Sequence, residues 1–247
     1  MKRQLLLCLV GAAALNLAMT PSGRAEPEGC PVAPGSMEVL VKLPHLAERL
    51  RTGKPVTIVA IGGGSTRGAA AGAPDLAYPH RLQLALAAFY PGVPITVVNK
   101  GVPRQSAQQM VDRFPTDVIA LHPVLVVWEA GITDAVRGIE LDDFATAVQA
   151  GIDKLKKQAI DILLVDMQFS RRTSTVINFE GYLGALHRVG NLNEVFVFPR
   201  FEMMRYWSEQ HVFDFDEVAD AERARLAAEV YECIGLKLAQ AIRVAVR

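Results

Sequence analysis

The chain has 247 residues, of which 51% are hydrophobic and 21% charged, so it can bury one sizeable core and is neither disordered nor fibrous. Lys plus Arg and Asp plus Glu each total 26, which removes the broad positive field that holds nucleic acid through its phosphates. One domain without a nucleic-acid partner is the expectation.

Residues 1–25 read as an export signal. Lys2 and Arg3 precede the apolar run Leu5 to Met19, and Ser22-Gly23-Arg24-Ala25 ends in a small residue suited to a signal peptidase. The run is 15 residues long, short of the roughly 20 that span a bilayer, so no membrane span is expected after cleavage, and the location is periplasmic or secreted. Cleavage removes Lys2, Arg3, Arg24 and Cys8, leaving a mildly acidic chain with Cys30 near one end and Cys233 near the other. In an oxidising compartment these two predict a disulfide joining the ends, against the alternative of two unrelated thiols.

Residues 26–54 form a leader segment with one short helix near Pro44 to Arg51. From residue 55 to 247, short apolar runs alternate with stretches of helical period. The runs are Val56 to Ile61, Ile95 to Asn99, Val124 to Trp128, Ile162 to Met167 and Val195 to Phe198, each apolar enough to be covered on both faces. Helices are expected near Pro79 to Phe89, Ser106 to Leu121, Asp142 to Gln158, Phe179 to Val189 and Ala219 to Val246. Right-handed crossovers turn this alternation into a three-layer α/β/α sandwich around a five-stranded parallel sheet. Ligands of such sheets sit beyond the carboxyl ends of the strands, so chemistry is sought just after each run.

The first run ends in Gly62-Gly63-Gly64-Ser65-Thr66-Arg67-Gly68. Such a turn can lift Ser65 to the sheet edge as a nucleophile, cradle a phosphate, or simply reverse the chain. The phosphate reading is weakened by glycine spacing and by Asn99-Lys100, where a dinucleotide site would place an acid. The second run closes on Gly101 and the third on Gly131-Ile132-Thr133-Asp134.

Ser65, Gly101 and Gly131-x-Thr133-Asp134, in this order, resemble the blocks of the SGNH, or GDSL-like, hydrolase family of esterases, lipases and carbohydrate deacetylases. The resemblance implies a flavodoxin-like fold, no metal, no cofactor, and attack by Ser65 on an ester carbonyl of a small molecule or glycan. It places the oxyanion against the Ser65 N–H, the Gly101 N–H and, where the family has an asparagine side chain, Thr133. The family's last block, an acid followed three residues later by histidine, has no counterpart: Glu222 and Arg225 fall at those places. An arginine cannot take a proton near neutral pH.

A triad is defined by geometry rather than chain order, so a histidine from elsewhere can replace it. His211 follows the last strand, with Asp214 and Asp216 to orient it, and is first choice; His80 is second. His45, His122 and His187 are expected at the wrong edge of the sheet. Basic residues follow every strand, among them Arg67, Lys100, Arg104, Arg137, Arg171, Arg172 and Arg200. With Asp134, Arg67, Arg104 and Arg171 are the expected ligand-binding groups; the alternative is a rim of ion pairs such as Arg137 with Asp134. Trp128, Tyr206 and Trp207 serve either as a sugar-stacking face or as core.

Two functions follow. One is an exported serine esterase or acyl hydrolase, with transfer to a glycan as a variant of the same chemistry. The other is a member of that fold without turnover, which binds a polar or anionic ligand or an envelope partner in the same cleft.

Overall fold

The computed structural model describes residues 30–213 and 218–247. The export signal therefore lies outside the described residues, as do Asp214 and Asp216. In chain order the elements are α1 (Pro44–Arg51), β1 (Val56–Gly62), α2 (Gly64–Arg67), α3 (Tyr78–Phe89), β2 (Ile95–Gly101), α4 (Ala107–Asp112), α5 (Phe114–Asp117), β3 (Leu125–Glu129) and α6 (Ile132–Arg137). They continue with α7 (Leu141–Lys156), β4 (Asp161–Val165), α8 (Arg171–Ser174), α9 (Glu180–Leu192), β5 (Phe196–Phe198), α10 (Arg200–Glu209) and α11 (Arg223–Ala245).

The five strands are all parallel and lie in the order β2-β1-β3-β4-β5. Alternation along each strand feeds two cores. Val59, Ile61, Val126, Trp128 and Leu164 pack with α4, α7 and α9, whereas Val56, Ile58, Leu125, Val127 and Leu163 pack with α1, α3 and α11. The chain runs from β1 outward to β2 and then back past β1 to β3, so the crevice beyond the carboxyl ends of β1 and β3 is the topological switch point. The three-layer expectation is met.

The expected helix from Ser106 to Leu121 is broken into α4, α5 and a 3-10 turn at Ile119–Leu121. Pro115 lacks the N–H and its ring clashes with the preceding turn, so the helix restarts at Phe114. A capping box fixes the start of α4: the Ser106 hydroxyl accepts from the Gln109 N–H, and Gln109 Oε1 accepts from the Ser106 N–H. The two tryptophans belong to the core, both almost fully buried. Trp128 packs edge-on against Phe114, and Trp207 Nε1 donates to the Pro31 carbonyl at 2.6 Å. Neither offers a face to a sugar.

Cys30 and Cys233 form a disulfide with Cα atoms 5.5 Å apart. It ties the leader to α11 across 203 positions of sequence. Closing so long a loop restricts the unfolded chain, worth about 5 kcal/mol in the chain-entropy treatment. Replacing both cysteines by serine is expected to lower the unfolding free energy by about that much in urea titration; equal midpoints for the two proteins would contradict it.

Candidate active site

The turn after β1 is built on a buried carboxylate. Glu129, the last residue of β3, accepts from the backbone N–H and the hydroxyl of Thr66, so it caps the first turn of α2. Its other oxygen takes a hydrogen bond from Arg200 Nη2 at 3.2 Å, and both side chains are 1% exposed. Tyr78 closes the network from α3, its phenol 2.9 Å from Thr66 Oγ1. Burial and the Glu129 charge raise the Tyr78 pKa, so the phenol stays protonated. Arg200 was expected on the rim; it is instead fully buried, its charge matched by Glu129.

Two glycines allow the strands to come this close. A Cβ on Gly62 would stand 2.1 Å from Thr66 Oγ1 and 2.7 Å from Glu129 Cβ. A Cβ on Gly101 would stand 2.3 Å from the Arg67 backbone nitrogen. Asn99 then staples β2 to the turn: its amide nitrogen donates to the Thr66 carbonyl at 2.6 Å, and its Oδ1 accepts from the Gly101 N–H at 2.9 Å.

These contacts set Ser65 as the second residue of α2, where its N–H has no intrahelical acceptor. It lines a cleft of about 460 Å³ together with Gly64, Arg104, Thr133, Arg137 and Gln168. Its hydroxyl donates to Gln168 Oε1 at 2.9 Å. Tyr231, on α11, also lines the cleft, and its phenol is within hydrogen-bonding reach of the Ser65 side chain and the Ala70 backbone. Burial, reinforced by the Glu129 charge, pushes the Tyr231 pKa up to about 12. At neutral pH this phenol is a donor and not a base.

Of the residues expected at the site, Ser65, Thr133 and Arg104 come together in the cleft. Gly101 abuts the serine turn, but its N–H is held by Asn99 Oδ1, which corrects its expected part as an oxyanion donor. His211 is exposed just past the end of α10 and is not among the residues that line the cleft. Asp134 is 1% exposed and accepts twice from the Ala107 N–H, so it serves the start of α4 and not a ligand; burial raises its pKa. Arg171 Nη2 donates to the Ser208 carbonyl at 2.8 Å, tying α8 to α10, and Arg67 is exposed outside the cleft lining.

All five histidines of the sequence lie within the described residues, and none lines the cleft. His45 pairs with Asp161 at 2.7 Å, where Asp161 also accepts from the Leu46 N–H. His187, expected at the wrong edge, pairs instead with Asp166 just past the carboxyl end of β4, at 3.1 Å. That aspartate is 1% exposed, also accepts from the Phe201 N–H, and has its pKa raised by burial. Glu222 and Arg225 bond each other on the surface at 2.7 Å. The groups that sequence reasoning missed are Gln168, which directly follows the fourth run, Tyr231, hidden in the apolar stripe of the last helix, and Glu129.

The parallel sheet with helices on both faces, and a serine turn at its switch point, define the fold of the SGNH/GDSL-like hydrolases. More narrowly, a profile of the non-GDSL lipase-like family matches residues 29–247, and the chain belongs to that family. Among solved structures, a lipolytic protein of the G-D-S-L family from Desulfitobacterium hafniense is 22% identical, with a TM-score of 0.57 over 75% of this chain and 99% of its own. A catalytic mutant of the acetylxylan esterase Axe2 from Geobacillus stearothermophilus is 17% identical, with a TM-score of 0.58 over 77% of this chain and 94% of its own. The two-domain esterase CEX, active on acetylated mannans, is 18% identical, with a TM-score of 0.66. That alignment covers 83% of this chain and 55% of CEX, so the match spans about half of the larger protein. No curated protein matches the chain by sequence.

Removing one member of a buried ion pair strands the other charge, at a cost of about 3–5 kcal/mol. Glu129→Gln and Arg200→Met are each expected to lower stability by about that amount, with the double variant losing less than the two together. Urea unfolding of the four proteins checks this; strictly additive losses would contradict it.

Proposed function

We propose that this protein binds an acylated carbohydrate in the Ser65 cleft and does not turn it over by a serine triad. One observation carries the reading: the Ser65 hydroxyl donates to the amide oxygen of Gln168. An amide oxygen accepts a hydrogen bond but does not take the proton away at neutral pH.

The remaining apparatus argues the same way. The Gly101 N–H is engaged by Asn99, and Thr133 offers a short hydroxyl where the family has an amide. A missing oxyanion donor typically costs about 3–4 kcal/mol of transition-state stabilisation. A triad enzyme without its base keeps about 10³ to 10⁴ over water, and a weakened oxyanion hole lowers that further. The cleft itself is of ligand size. Solved relatives in fold act on acetylated mannans and acetylxylan, which supports an acylated sugar as the occupant.

Ser65 then acts as a hydrogen-bonding group: its oxygen accepts from the ligand while its own O–H keeps donating to Gln168 Oε1. Hydrolysis of a chromogenic acetyl ester is expected to be equal in the wild type and Ser65→Ala. A serine-dependent turnover above about 1 per second, an ordinary enzymatic rate, would overturn the reading in favour of an esterase.

The site of action we infer is outside the cytoplasm. The charged start, apolar run and small-residue end of the first 25 residues support export, and so does the disulfide at Cys30. Full-length protein made in a Gram-negative host is expected in the periplasmic fraction with its N-terminus at or near Glu26; an intact Met1 terminus in the cytoplasm would contradict it.

A further inference from the structure

The charge balance of the cleft points beyond a neutral sugar. Three ionisable side chains of fixed charge line it: Glu129, Arg104 and Arg137. Glu129 is spent, since its oxygens are taken by Thr66 and by the buried Arg200 guanidinium. Of the two arginines that line it, Arg137 lies within electrostatic reach of the buried Asp134, and Arg104 is paired with no carboxylate among the described residues.

Their placement is built. Arg104 follows Pro103 and holds φ +64°, a left-handed backbone that costs a non-glycine residue free energy and persists only where its surroundings hold it. The holding contact is Arg137 Nη2, which donates to the Arg104 carbonyl at 2.8 Å, while Arg137 Nη1 donates to Gln109 Oε1 at 3.2 Å. Arg137 is thus oriented along the rim by neutral acceptors, and the carboxylate within its electrostatic reach, Asp134, is buried and bonded to the Ala107 N–H. The Arg104 guanidinium makes no bond to another side chain among the described residues. Two guanidiniums beside a cavity whose other polar lining is Ser65, Thr133, Gln168, Tyr231 and the already bonded Glu129 suit an oxyanion carried on a hydroxyl-rich ring.

We propose that the cleft selects an acidic glycan, with Arg104 and Arg137 receiving the carboxylate of a uronic acid residue while the neutral groups around Ser65 hold the acylated sugar. The inference rests on the carbohydrate-binding reading above and names the class of sugar. Exposed ion pairs are individually weak, so the two together are worth about tenfold in affinity at low salt, falling as salt screens them.

Calorimetric titration with acetylated oligouronates and with neutral acetylated manno-oligosaccharides of the same length tests it, using the wild type, Arg104→Gln and Arg104→Gln/Arg137→Gln. The acidic oligomers are expected to bind the wild type about tenfold more tightly, the single variant to lose part of that preference, and the double variant to bind both classes alike. Arg104→Gln breaks no contact of the described residues, so its effect is read in a folded protein. Equal binding of neutral and acidic oligomers to the wild type would overturn this inference and leave the carbohydrate-binding reading standing. Binding of neither would overturn both. Competition by inorganic phosphate as strong as that by free uronate would reassign the anion to a phosphate ester and contradict the carboxylate.

Discussion

A buried carboxylate organises this molecule's functional edge. Glu129 ends the central strand of the sheet with no access to water and answers three donors at once: the Thr66 N–H, the Thr66 hydroxyl and the Arg200 guanidinium. A charge taken out of water is tolerable only when it is paired and hydrogen-bonded in this way. Because its donors come from the turn after β1 and from the start of α10, one side chain fixes both elements against β3. The pose of Ser65, one residue before Thr66, follows from that fixation.

The cost is versatility. A serine turn locked by Glu129, Asn99 and the bare backbone of Gly62 and Gly101 presents its hydroxyl in a set direction, and in that direction stands Gln168. The neighbouring Tyr231 phenol is held protonated by burial and by the same carboxylate. The side chains around the serine are donors and neutral acceptors apart from the Glu129 carboxylate, whose oxygens are taken up by Thr66 and Arg200. On the proposed reading such a site recognises hydroxyl and carbonyl groups of a sugar ester and does not make an alkoxide.

Much of this was legible from the amino acids. Each strand is an apolar run covered on both faces, so its position survives without any knowledge of its partners, and the glycine-rich turn announces Ser65. The elements that escaped did so for local reasons. In α10 the charges of Arg200, Glu202, Arg205 and Glu209 obscure the buried positions Phe201, Met203 and Trp207, and one of those charges is itself interior. Gln168 carries no motif, and Tyr231 sits in an apolar stripe where an aromatic ring reads as packing. Glu129 stands at a strand end like other polar residues, and nothing short of the fold reveals that Arg200 meets it from 71 positions away. The basic rim was visible as a count of residues, but only the coordinates separate Arg104 and Arg137, which face the cleft, from Arg171, which braces a helix.

The central claim is that the Ser65 hydroxyl is held and not activated. Its most direct test is the mass of the intact protein after incubation at neutral pH with a fluorophosphonate, a reagent that esterifies serines whose proton a neighbouring base removes. The account predicts an unchanged mass for the wild type, as for Ser65→Ala. A stoichiometric adduct mapped to Ser65 and formed within minutes would contradict it.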